Sequence, residues 1–131
     1  MKASLIPEPD YANLYAQYGH YGKKLEKALR LVMSRGVKLH RFSPSQREIW
    51  TVVGREGDQL VDESQPYCSC RHFYYRVFGG KDDLCYHLLG LRIAKQINKY
   101  DTVEFIDLEY LPFLELLLKD MVNLGKERNS R

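Results

Sequence analysis

Three cysteines and a histidine lie at spacings typical of a metal site. Cys68 and Cys70 are two residues apart, and Cys85 and His87 repeat that spacing further along the chain. In an extended segment, residues two apart point to the same side, so the first pair can present both thiolates to one point. A helix that opens at the second pair can supply two more donors from its first turn. Because Cys₃His is a familiar tetrahedral zinc set, the sequence predicts one structural Zn²⁺ held by these four residues.

Two other interpretations of the same residues stay open at this point. His72 follows Cys70 at Cys-x-His spacing and competes with His87 as fourth ligand. We favour His87, because a zinc ion that closes the intervening loop needs ligands from both of its ends. The cysteines could instead be ordinary buried apolar residues, but the matching histidine spacing argues against this. An odd number of clustered cysteines favours a metal and a reducing compartment over disulfides.

The predicted site has no feature of a catalytic centre. Four protein ligands leave no open coordination position, which a catalytic zinc needs for water or substrate. Leu89 stands where a zinc deaminase carries the glutamate two residues after its histidine. The chain also lacks a phosphate-cradling glycine loop and a recognisable nucleophile–base pair. We therefore expect a protein that is not an enzyme.

The elements that position these donors can be read from periodicity and turn residues. Asp10 is a plausible N-cap for a long helix that ends at Gly36 and is weakened in the middle by Gly19 and Gly22. Alternation then predicts a three-stranded antiparallel meander with a hairpin turn at residues 55–58, and two helices follow it. The predicted segments are strands at 37–42, 48–53 and 59–61 and helices at 85–100 and 111–125, with a polar tail at 126–131. The predicted class is α+β.

Length and composition limit the classes of protein. The chain has 131 residues, 44% of them hydrophobic, which predicts one compact domain. The apolar run at Leu116–Leu118 is bounded by Glu115 and Lys119, so no membrane span is expected. The first apolar stretch stops at Pro7, too short for a signal peptide, and we expect an intracellular protein. A net charge of +3 excludes extensive wrapping of nucleic-acid phosphates.

The last helix is apolar over more than one face, which predicts deep burial or contact with a partner protein. Both interpretations are equally favoured. The stripe expected to face a partner consists of Leu114, Leu117, Leu118 and Met121.

Arginine and tyrosine side chains between the two cysteine pairs are candidates for contact with single-stranded nucleic acid. Tyrosine rings and guanidinium groups can stack on unpaired bases. The alternative is that the aromatic side chains fill space around the zinc ion. The candidates are Arg71, Tyr74, Tyr75 and Arg76.

These features together resemble a SWIM-type zinc finger, whose pattern is Cys-x-Cys, a variable spacer and Cys-x-His. A meander before the first pair, Phe73 after the second cysteine and the segment 85–89 fit the same layout, and the resemblance covers about residues 37–97. It implies a SWIM module at 37–100 with an N-terminal helical extension at 1–36 and a C-terminal helix and tail at 101–131. The full predicted order is N-terminal helix, meander, SWIM zinc finger and two C-terminal helices.

Such a short chain is similar to the small SWIM subunit of Shu-type recombination complexes, archaeal members included. The segments 43–45, 49–54 and 85–89 carry this resemblance. It implies binding to a RecA-like recombinase paralogue, a role in homologous recombination DNA repair, and contact with single-stranded DNA directly or through the partner. The expected location is then the cytoplasm or nucleoid of a prokaryote, or the nucleus of a eukaryote.

Two positions depart from the SWIM pattern. Arg71 stands where many members have proline, and Tyr86 stands where many have a basic residue before the ligand histidine. A DNA contact from position 86 is therefore not implied, although Arg71 could supply one. The alternative function is a stand-alone DNA-binding SWIM zinc finger that acts as a transcriptional or mobile-element factor.

Overall fold

A computed structural model of the chain describes residues 10–54, 57–64, 66–70, 73, 80 and 84–129, and side chains up to residue 119. The helices are α1 (Tyr11–Tyr18), α2 (Lys23–Met33), α3 (Tyr86–Gln96) and α4 (Tyr110–Asn129), with 3₁₀ turns at Gly19–Tyr21 and Asp107–Glu109. The strands are β1 (Val37–Ser43), β2 (Arg47–Gly54), β3 (Gly57–Asp62), β4 (Tyr67–Cys68) and β5 (Asp101–Ile106). The α+β class is confirmed. No helix in these ranges has the length and the apolar run that a membrane crossing requires.

The sheet is larger than the sequence predicts. Its five strands have the order β4-β3-β2-β1-β5. The antiparallel β1-β2-β3 meander is present, and β4 extends it beside β3. The prediction that two helices follow the zinc-finger segment directly was wrong, because β5 lies between α3 and α4 and pairs with β1 in parallel. This pairing joins segments far apart in sequence, and no local turn signal announces it.

The N-terminal helix is broken where the glycines predict. Asp10 caps α1 by accepting a hydrogen bond from the backbone N–H of Asn13 at 3.0 Å. The 3₁₀ turn and Gly22, with φ of 60°, then separate α1 from α2. The predicted stop at Gly36 was late, since α2 ends at Met33 and Arg35 takes the left-handed conformation.

Both C-terminal helices have ends that differ from the prediction. The third helix stops at Gln96, four residues before Tyr100, and Asn98 adopts the left-handed conformation that asparagine tolerates. The last helix begins at Tyr110 and continues past Gly125 to Asn129. A glycine inside a helix costs only about 1 kcal/mol, which the rest of a long helix can absorb.

Two apolar clusters lie on opposite faces of the sheet, because neighbouring residues of a strand point to opposite sides. The larger cluster joins Val37, Val52 and Val61 to α1, α2 and α3. The smaller one has Phe42, Ile49 and Leu117 as its buried members, with partly buried side chains from β3, β5 and α4 around them. The cysteines and their histidine lie on the larger-cluster side.

Candidate metal centre

Four donors converge between the edge of the sheet and the start of α3. Cys68 ends β4, Cys70 follows two residues later, Cys85 is the N-cap of α3, and His87 lies in its first turn. All four residues are buried, with exposed fractions between 0% and 6%. One ligand atom from each residue lies within 4.8 Å of the others, close enough for a single metal ion.

The first cysteine pair is held in place by the serine between its members. The Ser69 backbone N–H donates to the carbonyl of Leu60 at 3.0 Å, and its hydroxyl accepts from the Leu60 backbone N–H at 3.0 Å. The same hydroxyl donates to Gln59 Oε1 at 2.8 Å. Because Ser69 binds to β3 in this way, the two flanking cysteines turn to the opposite side, where they meet α3.

The second pair is positioned by packing between α3 and α2. Cys85 has an extended backbone with φ −88° and ψ 170°, and its carbonyl accepts the Leu89 N–H at 3.0 Å. On α2, the Lys24 ammonium donates to the carbonyl of Leu84 at 2.8 Å. Gly90 allows the two helices to approach closely, since a Cβ there would lie 2.8 Å from Leu31 Cδ2.

The chemistry of the donor set fits a divalent cation. Neither imidazole nitrogen of His87 has a hydrogen-bond partner among the described residues, and all three cysteines are free thiols. A buried polar atom without a partner is costly, and coordination of a metal would satisfy it. The three soft sulfur donors and the imidazole nitrogen favour Zn²⁺ over Mg²⁺ or Ca²⁺.

The proximity of the thiols also shifts their protonation. The hydrogen bond with Cys70 raises the pKa of Cys68, and the reciprocal hydrogen bond lowers the pKa of Cys70. For Cys85, the hydrogen bond with Cys68 lowers the pKa, but the hydrogen bond with Cys70 and burial outweigh it and raise the pKa to about 12. A divalent cation would stabilise all three thiolates.

The structure brings together the four residues predicted as metal ligands, and it leaves other predicted sites undescribed. His72, the competing ligand, lies outside the described residues, as do all four nucleic-acid candidates, Arg71, Tyr74, Tyr75 and Arg76. Their roles stay predictions.

The apolar stripe predicted on the last helix is divided between core and surface. Leu117 is buried in the smaller cluster, and Leu114 packs against it while partly exposed. Leu118 is 45% exposed. The side chain of Met121 lies outside the described part of the helix. Contacts within the chain thus account for Leu117, and partner binding by the stripe stays a prediction.

Three residues near the cluster have roles that the sequence analysis did not assign. Ser69 and Lys24 carry the hydrogen bonds given above. The Phe73 backbone N–H donates to Cys70 Sγ at 3.3 Å. The Phe73 ring packs edge-on against the Tyr67 ring, with 5.5 Å between the ring centroids. Ser69 had a usable signal, since alternation turns a residue between two inward-pointing cysteines to the opposite side from them.

Fold and site together define an α+β protein with a candidate Cys₃His metal centre of the zinc-finger kind. The chain is similar to the zinc finger SWIM domain-containing protein 7 homolog of Dictyostelium discoideum, with 29% identity over 111 residues, 83% of this chain and 69% of that protein. It is also similar to an uncharacterized protein of Archaeoglobus fulgidus, with 27% identity over 99 residues, 76% of this chain and 75% of that protein. No family model matches the chain, and no solved structure matches it. The first relative supports a SWIM-type zinc finger with zinc as its metal.

Proposed function

We propose that this protein is a non-enzymatic, zinc-stabilised adaptor that binds a RecA-like recombinase paralogue and supports homologous recombination DNA repair. The observation that carries the proposal is the buried Cys₃His cluster in a chain of which 83% aligns with a protein named for a SWIM zinc finger. The similarity to the small subunit of Shu-type complexes supplies the class of partner.

Structural zinc is the role that this donor set supports. Four buried donors would complete the tetrahedral shell of a zinc ion and would leave no coordination position for water or substrate. When bound, Zn²⁺ would join β4 to α3 and close the loop between them. Apparent binding free energies of about 10–16 kcal/mol are typical of such sites and are comparable with the net stability of a whole domain.

The surface supports an adaptor that contacts protein better than one that grips DNA alone. Large apolar side chains are exposed around α4, including Leu108 at 85% and Leu111 at 65%. Three thiolates and one Zn²⁺ would lower the formal net charge of +3 by one. A charge this small provides little general attraction for phosphates.

Co-expression with each RecA-like ATPase encoded in the source genome tests the proposal. We expect one paralogue to co-elute with the zinc-loaded protein in size-exclusion chromatography, and an unrelated P-loop ATPase to elute separately. Failure of every RecA-like paralogue to co-elute would contradict the proposal.

A salt titration separates the adaptor from a DNA-binding zinc finger that acts alone. We expect the isolated protein to bind a single-stranded oligonucleotide weakly at physiological salt. Tight binding with a steep salt dependence would instead favour the stand-alone DNA-binding finger, because it would reveal many direct phosphate contacts.

A further inference from the structure

A groove with a volume of about 750 Å³ opens between the start of α4 and the β2–β3 half of the sheet. Ile49 from β2, Leu60 from β3 and Leu114 from α4 provide its apolar lining. Ile49 is buried and belongs to the smaller cluster, whereas Leu60 and Leu114 are only partly covered. On this side the groove is therefore an accessible extension of that cluster, and Val61, which also lines it, belongs to the larger cluster.

The helical wall of the groove continues past Leu114 in both directions. Leu111 and Leu118 lie three residues before and four residues after it, which places all three on one side of α4. Leu111 is 65% exposed and Leu118 is 45% exposed. Three leucines in this arrangement form a stripe of about two helical turns that the rest of the described chain leaves partly uncovered.

The opposite wall is aromatic and acidic. Trp50 and Tyr67 line it, and the carboxylates of Glu48, Asp62 and Glu63 surround them. Among the described residues, Lys95 is the single basic residue that lines the groove. The lining thus carries three carboxylates and one ammonium group, and the guanidinium groups of Arg41 and Arg92 approach two of these carboxylates from outside it.

The ion pairs at the rim leave two of these carboxylates accessible. Glu63 accepts from Lys95 at 2.8 Å and lies 3.8 Å from Arg92, yet its side chain stays 37% exposed. Glu48 lies 3.3 Å from Arg41 and stays 43% exposed. Exposed pairs of this kind are worth about 0–1 kcal/mol, so an incoming cation can exchange with them at little cost.

We propose that this groove docks a segment of the RecA-like partner that carries an apolar side chain flanked by lysine or arginine. The inference rests on the proposed function, and it adds the docking surface and the chemistry of the docked segment. The apolar side chain would cover the leucine stripe, and the basic side chains would pair with Glu48 and Glu63. The same carboxylates would repel the phosphates of a nucleic acid.

The groove also adjoins the metal centre through the short strand β4. Tyr67 lines the groove, and the next residue, Cys68, is a metal donor. Zinc would therefore hold one wall of the groove in place, which connects the structural metal to partner binding.

Matched substitutions in the full-length zinc-loaded protein test the inference. We expect Leu118→Asp and the double change Glu48→Lys with Glu63→Lys each to weaken binding of the co-eluting paralogue by about tenfold or more. Tyr15→Asp and Glu26→Lys are the controls, because both residues are exposed and neither lines the groove or belongs to the leucine stripe. We expect each control to change the affinity less than about twofold. Circular dichroism and zinc content verify the fold of every variant.

Trp50 provides a second measurement that needs no variant, because it is the single tryptophan of the chain and lines the groove. Overlapping tryptophan-free peptides that span the paralogue would be titrated against its fluorescence. We expect a peptide with an apolar residue beside lysine or arginine to change the emission, and added salt to weaken the effect.

The outcomes separate this inference from the proposed function. A paralogue that binds the wild type and all variants equally would overturn the groove inference and leave the adaptor function standing. Binding of no paralogue by the wild type would overturn both. Sedimentation that reveals a homodimer disrupted by the groove variants would overturn the inference, since the occupant would then be a second copy of the chain.

Discussion

The two faces of the sheet are stabilised in different ways. On one face, α1, α2 and α3 cover a broad apolar cluster that includes all three cysteines. On the other face, α4 covers a cluster with Phe42, Ile49 and Leu117 as its buried members. The first face combines extensive burial with a candidate metal centre, whereas the second depends on a few aromatic and aliphatic contacts.

This asymmetry indicates a division of labour. Burial stabilises the first face, and a bound metal would add to this stability. On the second face, Leu111 and Leu118 are exposed beside a groove. In the core of this face, the centroid of the Phe42 ring lies 5.1 Å from that of Phe105 and 5.1 Å from that of Tyr110. The face with the smaller core thus presents exposed leucines beside this groove.

Loss of the metal should break the first face and produce the largest effect. We predict that Cys85→Ser abolishes stoichiometric zinc and lowers the melting temperature by an amount on the order of 10 °C or more. Elemental analysis and thermal unfolding by circular dichroism measure the two quantities. His20→Ala is the control, because its side chain is exposed and distant in sequence from the donors.

The same assay assigns the fourth ligand. We expect His87→Ala to lose zinc and His72→Ala to retain it, because His87 lies in the buried cluster. If His87→Ala retained zinc and His72→Ala lost it, His72 would be the fourth ligand.

A cavity in the smaller cluster should destabilise the second face without affecting the metal. Leu117 is 6% exposed, so Leu117→Ala should lower the free energy of unfolding by about 2–4 kcal/mol and leave the zinc content unchanged. The neighbouring Leu116→Ala is the control, because Leu116 is 66% exposed and should change stability by less than about 0.5 kcal/mol. Equal effects in a chemical denaturation experiment would show that α4 does not pack as described.

The contact between α2 and the metal loop should have a smaller effect. Lys24→Gln removes the ammonium group that donates a hydrogen bond to the Leu84 carbonyl. This carbonyl lies next to the metal ligands, which would include three thiolates when the metal is bound. We expect zinc transfer to a chromogenic chelator to accelerate about fivefold, equivalent to roughly 1 kcal/mol. Lys23→Gln, an exposed change on the same helix, should leave the rate unchanged, and equal rates for the two variants would refute the role of Lys24.

The smallest expected effect is a pH dependence confined to the second face. Burial lowers the pKa of His40, whose Nε2 lies 3.0 Å from Thr51 Oγ1 and whose ring lies 4.5 Å from Phe113. The neutral form is therefore favoured in the folded state. The contribution of neutral His40 to the stability of the fold is fully present when the pH is above 6.5, the ordinary pKa of histidine. It is lost as the pH falls through the lower pKa that His40 has in the folded state.

Denaturation of the wild type and His40→Gln between pH 7.5 and 5.5 measures this contribution. We expect the wild type to lose more stability on acidification than the variant, with zinc content checked at each pH. Parallel pH profiles would mean that His40 does not contribute.

Local patterns in the sequence predicted much of the first face. Cys-x-Cys and Cys-x-His spacing located the donor set, and Asp10 and the glycine pair located the start and the break of the N-terminal helix. These features depend on contacts within a few residues, where spacing and backbone preference dominate. Hence the donor cluster could be anticipated without a structure, although its neighbours Lys24 and Ser69 were missed.

The second face was predicted less well, because its features depend on contacts between distant segments. In strand β5 two residues are partly buried and the other four are exposed, so buried and exposed positions do not alternate clearly. The strand forms through parallel pairing with β1. The leucines of α4 all look alike in sequence. Only the position of the sheet beneath the helix determines that Leu117 is core and Leu118 is surface.

The sequence by itself therefore determined the metal-donor chemistry, the α+β class and the first three strands, since each depends on side-chain type and short-range periodicity. The tertiary structure alone decided the placement of β5, the division of the α4 leucines and the acidic groove beside them. Those features depend on how residues far apart in the chain pack against one another, which no local sequence pattern predicts.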